Sequence, residues 1–376
     1  MSNDPTTATT PAAHPSRAAS LVRLAILIGL LYAFLVSIGL LSKSFKLLGG
    51  GFVDGIIESA SNPLVGLFVG ILATSLVQSS STTTSIVVAL VGSGTIPIAT
   101  AIPVVMGANI GTSVTNTLVS LAHVTRGREY YRAIAASTVH DFFNIFAVLV
   151  LFPVQIATNF LGVTSSALAE AFQDIGGLTF ASPLKLATAP AVNALTSLLK
   201  AHPWALLVLA LAIMFVSLRY LVIALKGLVI ARVEAIFDVV IFKNAGRALL
   251  FGMLLTVLVQ SSSITTSLII PLAGAGLLRL EQIFPYTLGA NVGTTVTAML
   301  AALAVGEVSA VTVAFAHLLF NVSGILVVWP VESIRRIPMR AATGLAGVSQ
   351  HNRWLPMVYI AVMFYLLPLA VILVLR

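Results

Sequence analysis

The stretch VQSSSTTTS at Val77–Ser85 returns as VQSSSITTS at Val259–Ser267, each copy a polar block inside an apolar segment. No Asp, Glu, Lys or Arg lies between Pro63 and Thr125, nor between Ala248 and Leu278. A site built there offers hydroxyls, amide side chains and backbone groups freed where a helix breaks. Exposed N–H groups at a helix start bind anions. Freed carbonyls with Ser/Thr and Asn/Gln oxygens suit a small hard cation such as sodium. A doubly charged anion held without Arg or Lys is under-neutralised at low dielectric. Co-bound cations would remedy this and couple the two solutes, so the chemistry to expect is cation-coupled anion transport, with the anion unnamed. Hydroxyls in membrane helices also serve as interhelical glue. Four consecutive polar residues cannot all face one neighbour, however, and Gly92/Gly94 and Gly274/Gly276 close both segments like hairpin ends.

Other polar groups repeat with these blocks. GANIGT at Gly107–Thr112 and GANVGT at Gly289–Thr294 put Asn109 with Thr112, and Asn291 with Thr294, beside glycines that admit close packing. Their amide and hydroxyl oxygens make these residues sodium-ligand candidates, with a pure packing role as the alternative. His140 and Asn144, like His317 and Asn321, share a helix face at i and i+4, which suits a hydrogen-bonding role as well as a substrate role. Asp141 stands alone, since its counterpart is Leu318. An intramembrane acid is a functional candidate by default; the alternative is a salt bridge to Arg132 or a nearby loop Arg.

The elements that must position these groups are membrane helices. Apolar residues make up 58% of the 376 and charged ones 9%, far below the quarter or so usual in globular domains. Runs long enough to cross a bilayer recur at Leu21–Ser42, Ala133–Pro153, Pro203–Leu225, Ala310–Trp329 and Trp354–Leu375. Cysteine is absent, which excludes disulfides, Cys-ligated zinc and thiol chemistry. No transition metal, cofactor or nucleic acid is expected, because the net charge of +8 sits in loops, where topology uses it. The first apolar run is too long for a signal peptide and lacks a cleavage site.

A shift of 182 residues lays Gln78 on Gln260, Pro103 on Pro285, Asn109 on Asn291, Thr112 on Thr294 and Thr115 on Thr297. After a slip of five, His140 and Asn144 meet His317 and Asn321. The loop RGREYYR at Arg126–Arg132 is basic, whereas its equivalent AVGEVSAV at Ala304–Val311 has no Lys or Arg. The positive-inside rule then sets the two loops on opposite faces. The expectation is an all-α polytopic membrane protein of two inverted-topology repeats, each with a re-entrant broken-helix hairpin carrying a QSSS motif. Its divisions are a disordered tail 1–20, a first crossing 21–49, repeat 1 over 50–155 and an extracytoplasmic connector 156–202. A linking helix 203–232, repeat 2 over 233–340, and a C-terminal loop and helix 341–376 follow. The N-terminus is cytoplasmic, hairpins 63–94 and 246–277 meet near the midplane, and 97–121 and 282–303 cross. Only Lys43 and Lys46 fall on the unexpected face.

QSSSTTTSIVVALVGSG, MGANIGTSVTNT, and ASTVHDFFN with the following VLVLFPV resemble the type II sodium–phosphate cotransporter family over roughly residues 50–340. The resemblance implies sodium-driven uptake of inorganic phosphate. Gln78, Ser79, Ser80 and Ser81 would face phosphate together with Gln260 and Ser261. Ser263, Thr294 and Thr297 would help hold a sodium, and Asp141 matches a position used for an additional one in electrogenic members. Ser137 stands where those members carry Ala, which leaves stoichiometry open. The Cys-free connector and the end soon after Trp354–Leu375 fit a smaller bacterial version in the cytoplasmic membrane, with its C-terminus outside. The sequence leaves a homodimer open. The rival readings are a proton-coupled or exporting transporter using His140 or Asp141, a passive anion channel, and an intramembrane Ser hydrolase using Ser79–Ser81 with His140. Symmetric duplication of every nucleophile argues against the hydrolase.

Overall fold

Helices occupy most of the computed structural model, which describes residues 17–48, 62–125, 127–174, 183–236, 242 and 244–375. Residues 1–16 of the expected tail lie outside these, as do 50–61 of expected repeat 1, 237–241 of expected repeat 2 and 175–182 of the connector. Seven stretches among the described residues are long and apolar enough to cross a membrane: Leu21–Leu48, Ile98–His123, Gly127–Thr158, Pro203–Leu225, Leu280–Val305, Val308–Val328 and Leu355–Leu375.

The order is α1 (Arg17–Leu48), α2 (Pro63–Val77), α3 (Ser80–Gly92), α4 (Ile98–Gly111), α5 (Val114–Ser120), α6 (Gly127–Thr158), α7 (Phe160–Asp174), α8 (Pro183–Leu199) and α9 (Pro203–Ile236). The second half runs α10 (Ala245–Val259), α11 (Ser262–Ser267), α12 (Ile270–Gly274), α13 (Leu280–Val305), α14 (Val308–Val328), α15 (Glu332–His351) and α16 (Leu355–Leu375). The last carries a π segment at Ala361–Leu366.

Several elements differ from expectation. α1 begins at Arg17, so 17–20 of the expected tail are helical. The described part of the connector holds two helices, and residues 341–351, expected as part of a C-terminal loop and helix, continue α15. That helix is amphipathic, with Arg335, Arg336 and Arg340 on a polar face, which suits an interface-lying element. The 97–121 crossing breaks at Thr112–Ser113, while its counterpart α13 is unbroken.

Equivalent positions in the two halves do the same structural work. Asn62 and Asn244 cap α2 and α10, accepting from Leu64 N at 2.9 Å and Gly246 N at 2.8 Å. Gly70 and Gly107 bring α2 and α4 together so closely that a Cβ on either would overlap the backbone of Val104 or Leu67. Gly252 and Gly289 repeat this between α10 and α13, against Tyr286 and Leu249. The hairpin ends turn at Gly94 and Gly276, both at φ 79°, where a side chain would be strained. At the first end Gly92 abuts Val305 and Ala310; at the second, Gly274 abuts His123 and Arg132 donates to the Gly274 carbonyl at 3.4 Å. Two apolar clusters support these parts. One joins α1, α3, α9 and α14, and the other joins α2, α6, α10 and α13.

Candidate functional site

The two polar blocks are built alike. Gln78 and Gln260 end α2 and α10 in the left-handed region, at φ 59° and 57°, a conformation that costs an ordinary side chain about 1 kcal/mol. Hydrogen bonds hold each of them there. Gln78 Nε2 donates to the Ser75 carbonyl, and Gln260 Nε2 donates to Val257 O at 2.5 Å. Thr115 Oγ1 donates to Gln78 Oε1 at 2.7 Å, and Thr297 Oγ1 to Gln260 Oε1 at 2.9 Å. Ser79 and Ser261 then cap the next helices, accepting from Thr82 N at 3.2 Å and Ile264 N at 3.4 Å. Thr84 Oγ1 donates back to Ser80 O at 2.8 Å and Thr266 Oγ1 to Ser262 O at 2.7 Å. This back-bonding satisfies the hydroxyls on carbonyls of their own helices.

Both tips open onto one cavity of about 580 Å³. Gln78, Ser79, Ser81, Thr115, Gln260, Ser261 and Ser263 line it, with an apolar face of α9 and Arg219 opposite. Ser80 is buried beside the cavity rather than in its lining. Six of the expected ligand residues thus meet across 182 residues of sequence. Three polar lining residues, Thr82, Thr115 and Arg219, were not expected. Thr115 was visible only as the repeat partner of Thr297. Arg219 lay outside both segments searched for charge, so the expectation of a site without Arg or Lys is corrected.

The other expected ligands sit deeper. Thr112 and Thr294 are buried and donate to their own helix, to Ala108 O at 3.2 Å and Ala290 O at 3.1 Å. Ser263 Oγ donates to Thr112 O at 3.5 Å, across the break between α4 and α5. Asn116, on α5, donates to Thr266 Oγ1 at 2.8 Å and accepts from Ser267 Oγ at 2.9 Å.

Below the tips the two halves exchange histidines. His140 Nε2 bonds to Asn291 Oδ1, and His317 Nε2 to Asn109 Oδ1 at 3.2 Å. An amide oxygen only accepts, so the contact with Asn109 puts the hydrogen on His317 Nε2, whereas His140 Nε2 also lies 3.3 Å from Asn144 Nδ2, a donor. Asn291 Nδ2 donates to Asn144 Oδ1 at 2.8 Å, but the equivalent groups, Asn109 Nδ2 and Asn321 Oδ1, are buried without partners. Asp141 is also fully buried, and neither carboxyl oxygen has a hydrogen-bond partner among the described residues. Arg132 reaches Gly274 instead, and among the described residues no Arg pairs with Asp141. A buried acid without a partner is a place where a cation fits.

The profile described as Na+/Pi-cotransporter matches residues 33–181 and 213–339. The sodium-dependent phosphate transport protein 2B of Homo sapiens is 34% identical, the match covering 93% of this chain and 64% of that protein. Protein 2B of Pongo abelii is 33% identical, with 93% of this chain and 65% of the relative covered. Protein 2A of Ovis aries is 35% identical, with 93% and 67% covered. The chain therefore spans slightly less than two thirds of the 2B relatives. No solved structure matches.

Proposed function

The chain belongs to the Na+/Pi-cotransporter family, and from that premise we propose that it is a sodium-coupled secondary active transporter importing inorganic phosphate by alternating access. The observation that carries this reading is the single cavity lined by both Gln-Ser tips. Gln78, Ser79, Ser81, Gln260 and Ser261 offer it amide and hydroxyl donors for a phosphate, with Ser80 behind them. Ser263, Thr294, Thr297, Asn291, Asn109 and Thr112 form an oxygen-rich layer beneath for sodium. Asp141, buried and unpartnered, is the candidate for a further ion. The relatives' printed names, sodium-dependent phosphate transport proteins, agree with the two solutes.

In this mechanism sodium binding gives the uncharged layer under the tips a positive charge, and phosphate then meets a site whose charge it can balance. A tenfold sodium gradient supplies about 1.4 kcal/mol per ion, and each net charge moved through 100 mV adds about 2.3 kcal/mol. Two or three ions suffice to concentrate phosphate more than tenfold. The two halves are inverted in this reading. Its support is the basic loop at Arg128–Arg132 against the end of the second hairpin, and the non-basic turn near Val305–Ala310 against the end of the first. A bacterial-type member in the cytoplasmic membrane, with a cytoplasmic N-terminus, follows from that charge bias and the Cys-free connector.

Radiolabelled phosphate uptake into proteoliposomes tests the reading, comparing an inward sodium gradient with an equal potassium gradient. Accumulation in sodium that is lost in Ser79→Ala and Gln260→Ala is expected. Equal uptake in potassium, or full activity in both variants, would sink it.

A further inference from the structure

α9 presents Phe215, Leu218, Arg219, Val222 and Ile223 to the cavity. The spacing i, i+3, i+4, i+7, i+8 is one continuous helix stripe, so α9 forms a wall of the cavity and Arg219 is the stripe's one polar member. Arg219 is also the sole charged residue between Pro203 and Leu225. It stands six residues before that run ends, roughly 9 Å of helix. A guanidinium is costly in hydrocarbon and turns toward protein or water instead. Here the cavity supplies the polar side. Among the described residues no carboxylate pairs with it, and its side chain is exposed. Every other polar lining group is a neutral amide or hydroxyl.

This inference rests on the transport reading above. We infer that Arg219 is the phosphate-pairing cation of the cavity, held on α9 and not on either tip. The guanidinium fork matches phosphate oxygens two at a time, which hydroxyls and amides cannot do with charge. It also draws the anion in from solution. α9 belongs to neither Gln-Ser hairpin and packs along α1. The pairing therefore exists only while the tips face this wall, so Arg219 acts on phosphate at one membrane face and not at the other.

The experiment measures phosphate KM, sodium KM and their dependence on ionic strength at fixed sodium, in proteoliposomes carrying wild type, Arg219→Gln or Arg219→Lys. Wild-type phosphate KM should rise with ionic strength. Arg219→Gln should raise phosphate KM about tenfold, the scale of one charge-assisted pair, with a flat ionic-strength response and sodium KM little changed. Arg219→Lys should keep the ionic-strength response. If wild-type phosphate KM ignores ionic strength, the inference fails without recourse to any variant. It fails equally if Arg219→Gln transports with wild-type phosphate KM, or if sodium KM rises in parallel. A wild type that takes up no phosphate in sodium would instead overturn the transport reading itself, so the two failures are distinct.

Discussion

Replacing Thr297 by Val separates two roles that its position allows. Thr297 Oγ1 donates to Gln260 Oε1 at 2.9 Å, and the only other tie on that side chain among the described residues is Nε2 to Val257 O at 2.5 Å. Val keeps the volume and removes the hydroxyl, leaving Gln260 held at one end of its amide in a left-handed backbone conformation. A net intramolecular hydrogen bond is worth about 1 kcal/mol, or roughly fivefold in an equilibrium constant. Phosphate KM should rise about fivefold if that whole energy serves to aim Gln260 into the cavity. Thr115→Val removes the equivalent bond to Gln78, but Gln78 Nε2 also reaches the Tyr365 hydroxyl at 3.4 Å, which itself donates to Ser75 O at 2.9 Å. The first-half variant should therefore show the smaller rise. Thr297→Ser, which retains the donor, should stay near wild type. The assay is initial-rate phosphate uptake with separate phosphate and sodium titrations. A Thr297→Val protein whose sodium KM moves while its phosphate KM does not would refute the clamp and make Thr297 a direct sodium ligand.

Three further outcomes are expected. Gly107→Ala and Gly289→Ala force a Cβ onto Leu67 O and Leu249 O; overpacking of this kind costs about 1–3 kcal/mol. Both should lower the melting temperature in detergent and abolish uptake, whereas Gly344→Ala, with nothing within 4 Å, should do neither. Asn144→Ala removes the partner of Asn291 and a donor to the Asn109 carbonyl, for about 1–3 kcal/mol. Asn321 donates only to His317 O, so a thermal-shift comparison should find Asn321→Ala the milder of the two. Asp141→Asn removes a buried acid that no cation pairs with among the described residues. Its protein should be at least as stable as wild type without sodium, lose part of the sodium-induced stabilisation, and move less charge per phosphate in electrical recordings; unchanged sodium stabilisation would exclude an ion there.

Much of the scaffold was legible because it follows from local chemistry. Apolar run lengths located five of the seven crossings to within a few residues at most ends, and threading the repeats located the other two, since a helix needs about that length to span a bilayer. The break at each Gln was readable as well, because four polar residues in a greasy hairpin need a destination. The break at Thr112–Ser113 was not. GANIGTSVTNT and GANVGTTVTAM differ little before Asn116, whose equivalent is Ala298. Asn116 docks on Thr266 and Ser267 in the other half, and Ser263 takes up the Thr112 carbonyl at the break.

The amino-acid sequence by itself determined the repeated motifs, the membrane class and the kinds of polar group the hairpins carry, since each depends on which residues occur and how they are spaced. Only the tertiary structure decided the partners. Gln78 and Gln260 meet in one cavity, His140 pairs with Asn291 and His317 with Asn109, and Arg219 arrives from a helix outside both hairpins. The two histidine pairings join residues more than a hundred positions apart, and they arise from how the two halves pack against each other. Spacing along one chain carries no term for that packing.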